Sequence, residues 1–450
     1  MTGEDADGSR ELQTFVVRLG AAMNAAGEPV YSVQQRLSTV ARAYGARSAR
    51  ISAFPTSLMV TMGTGEPATL ELTMGLATVP RLDQIAALDR LVQAAERAQI
   101  APSDGIRTLD EIRVLQRRFG RVVSILGYSV LSVGLCLLLD SAPREVAAAA
   151  VFGALVGVLR TLGRGQSSMQ ILMPVVAAFS VAALSALAVK YDLTDPGIRA
   201  MVASLVVFLP GAALTTAVLE LAAGQMVSGS SRLVSGAVQL ALLAFGILAG
   251  IELVGISAPQ VLGASNDLIG DWSPWLGVLV FAAGVTVANS APAKSFLGLL
   301  AVLYAAWVGQ VLGNEVFGGY VSAFVGAVVM TAAAFWVSRL PSAMPQHASF
   351  LPGFWLLVPG ALGLIGLAEF AGDPTAAGTQ DIVATVVSLF AIAVGVLCGT
   401  LLLASADWTG RVVSDGARTV IRQRHPWGWL SRFRKRGHAG TAERHDPPAS

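Results

Sequence analysis

The sequence predicts a polytopic α-helical membrane protein, with ten transmembrane helices in two inverted five-helix repeats and a small cytoplasmic α+β domain before them. Composition is the first reason: 54% of the 450 residues are hydrophobic and 13% are charged, whereas soluble domains carry about 25% charge. The apolar residues form long runs between positions 122 and 404. The other two reasons are an internal repeat and an alternation of basic with acidic loops.

The first 120 residues have the mixed pattern of a folded α+β domain. Helical spacing of apolar residues predicts a first helix that ends at Gly27. A second helix is predicted to open at Ser32, where Gln35 completes a capping box. A helix at 82–98 follows, and another runs from Pro102 through four arginines to the membrane. Alternating apolar residues predict three short strands, at 49–54, 58–62 and 70–74.

This domain is not predicted to be an enzyme. All four histidines of the chain lie outside it, which excludes a Ser-His-Asp triad within it. It also holds no lysine, no cysteine and no HExxH motif. A regulatory, gating or assembly role is therefore preferred. Its acidic amino terminus lacks the apolar stretch of a cleaved signal, so the domain is expected to stay in the cytoplasm.

No cofactor and no metal site are predicted. Cys136 and Cys398 lie in different apolar runs and form neither a CxxC motif nor a disulfide framework. The basic residues stand at the ends of apolar runs and not on one face, so a nucleic-acid partner is not expected either.

Ten apolar runs are long enough to cross a bilayer as helices. Those of the first half cover residues 122–139, 146–162, 171–189, 198–219 and 233–254. Those of the second half cover residues 272–288, 295–312, 320–337, 350–370 and 382–404. A polar segment at 228–231 is predicted to be a flexible loop. The predicted domains are 1–120, the first membrane unit 121–256, the second membrane unit 270–405, and a basic, disordered cytoplasmic tail 406–450.

The two membrane units align without a gap at an offset of 149 residues. Proline, glycine and glutamate carry this alignment, because apolar residues match by accident in any membrane protein. The matched pairs are Ser141-Ala142-Pro143 with Ser290-Ala291-Pro292, Pro210-Gly211 with Pro359-Gly360, Glu220 with Glu369, Gly246 with Gly395, and Gly250 with Gly399.

Loop charge predicts the orientation of the spans. Basic residues mark the cytoplasmic loops, and those that do so here include Arg160, Arg164, Arg232, Lys294 and Arg339. Most acidic residues lie in the alternate loops. Both termini are therefore expected in the cytoplasm, and because each unit has five spans, the second is inverted relative to the first. Inverted units are typical of transporters that alternate access between two sides.

The paired Pro-Gly segments are the candidate substrate site. Proline removes a helical hydrogen bond and glycine loosens the helix, so both fourth spans are expected to break there. Inverted symmetry brings such breaks together near the midplane, where helix ends can hold a carboxylate and an ammonium. A packing kink is the simpler alternative. The candidate substrate-binding residues are Pro210, Gly211, Thr215, Thr216, Pro359 and Gly360.

Glu220 and Glu369 are the candidate proton-coupling residues. They are the repeat-matched acids, and a carboxylate at mid-depth costs about 2.5–3.5 kcal/mol on insertion scales, so it is kept there for function. A solvated position at the membrane surface is the alternative for both. Arg160 is most simply a positive-inside anchor, with a weaker alternative as the partner of a substrate carboxylate.

The order of these features resembles the threonine/serine exporter (ThrE) family. The resemblance covers about residues 10–405 and rests on Gly27-Glu28-Pro29, on Pro55, on the arginine-rich approach to the first span, and on the Pro-Gly segments with their following acids. It implies proton-driven export of threonine and serine. Two-chain relatives export dicarboxylates such as succinate, so the fold alone does not identify the cargo.

The predicted function is therefore secondary export of small hydroxy amino acids from the cytoplasm across a bacterial inner membrane, with the substrate, protons and the lipid bilayer as partners. Dicarboxylate export is the alternative within the same class. A membrane-anchored enzyme or sensor that acts through the first domain is the alternative from another class.

Overall fold

A computed structural model gives the arrangement of the chain. It describes residues 3–62, 69–74, 80–139, 141–163, 167–195, 197–262, 269–340, 344–357, 364 and 383–403. Residues Met1–Gly399 form one compact unit, and Thr400–Ser450 form a second. Within the second, only the helical residues 400–403 belong to the described part.

The amino-terminal region, residues 3–113, combines four helices with one sheet. The helices are α1 (Gly3–Ala25), α2 (Val30–Ala43), α3 (Leu82–Glu96) and α4 (Pro102–Arg113), and the strands are β1 (Arg50–Ala53), β2 (Ser57–Met62) and β3 (Thr69–Met74). The strands pair antiparallel in the order β1-β2-β3. The region has its own apolar core, in which Phe15 and Leu19 of α1 meet Leu58 and Val60 of β2.

Two local predictions for this region are wrong. The second helix begins at Val30 and not at Ser32, and its N-cap residue, Pro29, makes no side-chain capping bond. Proline suits this place because its φ is already close to the helical value. The last helix does not run on into the membrane: α4 ends at Arg113, and the next helix begins at Arg121 after an intervening non-helical segment.

The rest of the described chain is helical. Its helices are α5 (Arg121–Leu138), α6 (Pro143–Leu162), α7 (Ser167–Lys190), α8 (Ile198–Leu205), α9 (Gly211–Ala222), α10 (Met226–Val254), α11 (Ala258–Leu262), α12 (Ser273–Ala288), α13 (Phe296–Phe317), α14 (Gly319–Ser338), α15 (Gln346–Leu356) and α16 (Val383–Leu403). Short 3₁₀ turns, Val206–Phe208 and Ala293–Ser295, follow α8 and precede α13.

The described helices show a multi-pass membrane protein. Seven are long and apolar enough to cross a bilayer, namely α5, α6, α7, α10, α13, α14 and α16. Helices α8 and α9 qualify together as a broken span bent by 59°, which raises the number to eight, and α12 is a shorter apolar helix. The ninth predicted span, 350–370, lies mostly outside the described residues.

The segment 228–231, predicted as a loop, belongs to the first turns of α10. Ser228 and Gly229 are buried there, and a side chain on Gly229 would collide with Leu221 and with the Ala217 carbonyl of α9. The small residues therefore serve close packing between helices, a use that is common in membranes.

Helices α5 and α12 pack antiparallel through four glycines. A side chain on Gly127 would meet the backbone of Ala288, and one on Gly134 would meet that of Phe281. From the other helix, Gly284 faces Leu131, and Gly277 faces Leu138. The contact on α12 thus moves back from 288 to 277 as the position on α5 advances from 127 to 138.

Two other helix pairs share one set of contacts at an offset of 149 residues. On α10, Gly246 lies against the Val175 carbonyl and Ala178 of α7. On α16, Gly395 lies against the Phe324 carbonyl and Ala327 of α14. The same offset relates Gly250, against the Phe179 carbonyl, to Gly399, against the Val328 carbonyl. The small residues that align in the sequence therefore make matching contacts.

The amino-terminal region docks on the helical bundle. Leu82 and Ile85, at the start of α3, are buried in the same apolar cluster as Tyr128 of α5. Helix α3 also contacts α15. This docking brings the amino-terminal region to the ends of the helices that bear the candidate site.

Candidate functional site

The break in the fourth span lies at Pro210, as the sequence predicts. The chain leaves the 3₁₀ turn at Phe208, is extended at Leu209, and starts α9 at Gly211. The first amides of any helix have no partner within the helix. Because α9 starts at the buried Gly211, its positive end lies inside the bundle. On the other side of the break, the Phe208 carbonyl accepts a hydrogen bond from the Gln239 side chain of α10.

The two threonines of the candidate site are buried on α9. Thr215 is fully buried, and its hydroxyl has no hydrogen-bond partner in the described part of the chain. Thr216 is 7% exposed. A buried hydroxyl without a partner carries a desolvation cost, which a polar ligand beside α9 can relieve.

Arg160 lies next to the break. Its guanidinium carbon is 5.3 Å from the ring centre of Tyr128 on α5 and 5.6 Å from that of Phe208. Both separations are within the range in which a cation is attracted by an aromatic face. The side chain thus connects α6 to Phe208, two residues before the break at Pro210.

Arg117 is a second cation near Arg160, and the sequence did not single it out as a binding residue. It belongs to the segment between α4 and α5, and its Nη1 is buried without a hydrogen-bond partner among the described residues. Burial lowers the pKa of Arg117, and the charges of Arg81 and Arg160 lower it further. Arg81 is itself neutralised by Asp83, at 2.9 Å.

Glu220 lies at the far end of α9, in contact with the amino-terminal region. Its fully buried carboxylate accepts a hydrogen bond from the Val30 amide, 3.0 Å away, at the start of α2. Arg232 of α10 donates from Nε to the other carboxylate oxygen at 3.1 Å. Nη2 of Arg232 also reaches the Glu28 carbonyl at 3.5 Å. We call this set the Glu220 junction: Glu28, Val30, Glu220 and Arg232.

The Glu220 junction supplies the cap that α2 lacks locally. Because Pro29 makes no side-chain cap, the carboxylate from α9 takes that place and also meets the positive end of the helix. The same carboxylate adds to burial in raising the pKa of Tyr31. A carboxylate so buried and paired is not the solvated surface group that was the alternative for Glu220.

Arg36 extends the Glu220 junction into the amino-terminal region. It lies 3.6 Å from Glu28, 2.9 Å from Asp89 and 2.8 Å from Glu96. Burial alone would lower the pKa of Arg36, but these three carboxylates raise it above its usual value. The Glu28 side chain is therefore fixed from inside the region while its carbonyl faces Arg232.

The second-unit candidates Pro359, Gly360 and Glu369 lie outside the described residues. The described chain stops just before them: α15 ends at Leu356, and Leu357 is the residue 149 positions after Phe208. No group of three or more potential metal ligands occurs among the described residues.

Several site residues were not identified from sequence. Arg232 was interpreted only as a cytoplasmic anchor, and its partner Glu220 lies 12 residues away. Gln239 was not among the candidates, and its partner Phe208 lies 31 residues away. The Val30 amide is 190 residues from Glu220. One signal was available: Glu28-Pro29 and Glu220 both belong to the segments that carry the family resemblance, and they meet in the structure.

Comparison with known proteins gives one match. The profile of the threonine/serine exporter family, ThrE, matches residues 14–254, which include α2, the break at Pro210 and the whole Glu220 junction. No curated protein and no solved structure matches significantly. The matched family is one of membrane transporters, which supports a role other than catalysis. Since the match covers more than half of the chain, this protein belongs to the threonine/serine exporter family.

Proposed function

We propose that this protein is a secondary transporter that exports threonine and serine from the cytoplasm across a bacterial inner membrane, driven by the proton gradient. Membership of the family supports the class of protein and of cargo. The observation that carries the site is the broken fourth span, because a helix end inside the bundle offers polar backbone groups to a small zwitterion.

The two membrane units are inverted copies in this proposal. Helices α5 and α12 would be their first spans, and their antiparallel register sets position 133 opposite position 282, which is 149 residues later. A two-fold axis in the membrane plane requires such a relation between equivalent helices. The matching contacts of Gly246 and Gly395 support the same interpretation.

Threonine binds at the break in this proposal. Pro210 and Gly211 open the helix, and Thr215 and Thr216 lie on the half helix that follows. The unpartnered Thr215 hydroxyl suits the side-chain hydroxyl of threonine or serine. By the inverted relation, we expect Pro359 and Gly360 to complete the site from the second unit.

Protonation of Glu220 in the Glu220 junction is the proposed coupling step. A proton on Glu220 removes its charge from the pair with Arg232 and weakens the cap on α2. Helix α9 is then freed from the amino-terminal region, so a proton and a movement of the broken span are linked. We expect Glu369 to act equivalently on the opposite side.

Uptake into inside-out vesicles under an imposed pH gradient tests the proposed function. Labelled threonine and serine are expected to accumulate above the level in vesicles without the protein. Accumulation of succinate instead would assign the protein to dicarboxylate export, and accumulation of none of the three would contradict the exporter function.

Two variants test the coupling. Glu220→Gln is expected to make threonine uptake independent of the pH gradient, while Glu252→Gln, an exposed acid on α10, leaves the dependence intact. Equal dependence in both variants would contradict a role of Glu220 in coupling.

Reporter fusions in the loop near position 267 and at the tail test the orientation and should report opposite sides of the membrane.

A further inference from the structure

Arg117 and Arg160 form a cluster of positive charge beside the break. Arg160 approaches Phe208, the last residue before the extended segment, and Tyr128. Arg117 lies on the segment that precedes α5. Burial is the main cause that lowers the pKa of Arg117, the charges of Arg81 and Arg160 lower it further, and Tyr128 and Asp83 oppose them. Tyr128 of α5 therefore interacts with both arginines.

The described residues neutralise this cluster only in part, because Asp83 raises the pKa of Arg117 against the larger effect of burial. Arg81, the third cation nearby, has Asp83 as its partner, but neither Arg117 nor Arg160 forms an ion pair in the described part of the chain. Like charges at half-buried positions repel each other, and an anion beside them offsets this cost. The buried, unpartnered Nη1 of Arg117 adds to this cost and leaves a donor for that anion.

Anchoring at the membrane surface does not account for this arrangement. Arg118 and Arg121, on the same approach to α5, are exposed, as expected for side chains that face water or lipid headgroups. Arg117 and Arg160 are half-buried instead, and Arg160 is held by rings from two helices. They differ from their neighbours in burial and partners, although all four are arginines.

The cluster is one-sided in the proposed repeat. The residue 149 positions after Arg160 is Gly309, and the residue 149 positions after Tyr128 is Gly277. Both glycines are close-packed against neighbouring helices. The second unit therefore has no equivalent cation or ring, and the cluster serves only the side on which the amino-terminal region docks.

We propose that Arg117 and Arg160 bind the carboxylate of the transported solute, on the side of the break at Pro210 where Arg160 approaches Phe208. This inference rests on the proposed function and adds the group that recognises the cargo. Arginine suits it because the guanidinium fork matches both oxygens of a carboxylate. A solute that lacks a carboxylate is then a poor substrate, even if it has the same hydroxyl group as threonine.

Transport kinetics in inside-out vesicles test this site. Arg117→Gln and Arg160→Gln are each expected to raise the KM for labelled threonine about 10- to 100-fold, as the loss of a charged hydrogen bond predicts. Arg118→Gln is the matched control and should leave KM unchanged. Arg160→Lys, which keeps the charge without the fork, should give an intermediate KM, and it remains informative if the glutamine variant folds poorly.

Competition identifies the group that is recognised. Threonine should compete with labelled threonine in the wild type far better than threoninol, which lacks the carboxylate, and the difference should shrink in Arg160→Gln. If the wild type transports threonine but Arg117→Gln and Arg160→Gln have the same KM as Arg118→Gln, the carboxylate site is overturned. The proposed function is not affected by that result. Wild-type vesicles that transport none of the tested solutes would overturn both.

A lipid phosphate is the other anion that two arginines can hold at this depth. Vesicles of phosphatidylcholine alone and with added phosphatidylglycerol separate the two sources. The carboxylate site predicts that the KM ratio between Arg160→Gln and the wild type is the same in both lipids. A ratio that falls to one without phosphatidylglycerol would assign the cluster to lipid and overturn the proposal.

Discussion

The second helices of the two proposed units, α6 and α13, pack in different ways. In α13, Gly309 and Gly313 bring the helix against α14, where they meet Val329 and Ser322. In α6 the position equivalent to Gly309 is Arg160, and the glycines Gly153 and Gly157 fit against Ser132, Tyr128 and Ile125 of α5 instead. At equivalent positions, the second proposed unit thus has a close contact between α13 and α14, and the first has the side chain of Arg160.

If the two proposed units are copies of one design, they are alike in some helix contacts and unlike in others. The shared contacts, between α7 and α10 and between α14 and α16, keep the two units alike where helices must fit. At the differing position, the first proposed unit places a charge beside its broken span.

The largest expected effect concerns the contact between the units. Gly134→Leu forces a side chain into the backbone of Phe281, where neither helix can yield without separating, so we expect most of the folded protein to be lost. Val130→Leu, an exposed position on the same helix, is the control. Size-exclusion chromatography in detergent measures the yield, and equal yields would contradict the close packing of α5 and α12.

The next effect concerns the differing position itself. Gly309→Arg should separate α13 from α14 and lower the Tm by several degrees, because a Cβ alone would already be 3.0 Å from that of Val329. Arg160→Gly should lower the Tm less than Gly309→Arg does, since it loses only the ring contacts and some helix propensity, while it raises the KM for threonine. If Arg160→Gly has the larger effect on Tm, the arginine is a structural residue and the comparison between the units fails.

The Glu220 junction should give a local effect. Glu220→Ala leaves Arg232, whose side chain is 14% exposed, without its partner, and removes the cap from α2, a loss that costs about 0.5–2 kcal/mol. We expect faster hydrogen exchange at Val30 and the next amides of α2, with the core of the bundle unaffected. Glu252→Ala is the control, and unchanged exchange at Val30 in the Glu220 variant would show that the contact is absent in solution.

The smallest effect concerns the freed carbonyl at the break. Gln239→Leu removes the hydrogen bond to the Phe208 carbonyl, which is worth about 0.5–1.5 kcal/mol. We expect a change of only a few-fold in KM, measured in the same vesicles. A complete loss of transport would mean that Gln239 binds the solute directly.

The sequence was sufficient for features that depend on local pattern. Apolar runs predicted the seven described helices that are long enough to cross a bilayer, alternation predicted the strands, and Pro210-Gly211 marked the broken helix, because each of these follows from backbone chemistry and period. The start of α2 was misplaced since its cap comes from Glu220, far along the chain. The end of α4 was also missed: Gln84 of α3 donates to the carbonyls of Ile112 and Arg113 in the last turn of α4, and Arg81, just before α3, donates to that of Leu115.

The site could be predicted only in part for the same reason. Glu220 was selected because it has a repeat partner, but its contact with Val30 spans the two parts of the molecule. Arg117 and Arg118 are adjacent and chemically identical in the sequence, and only the fold turns one inward. The segment 228–231 is likewise helical and packs closely against α9. Its polar composition alone predicted a loop, because the contact with α9 is not visible in the local sequence.

The position of bound threonine tests the central claim most directly. A structure of the wild-type protein solved with threonine should show the solute beside the break at Pro210, with its carboxylate within hydrogen-bond distance of Arg160 and Arg117. Threonine bound away from the broken span, or bound there with its carboxylate turned from both arginines, would contradict this account.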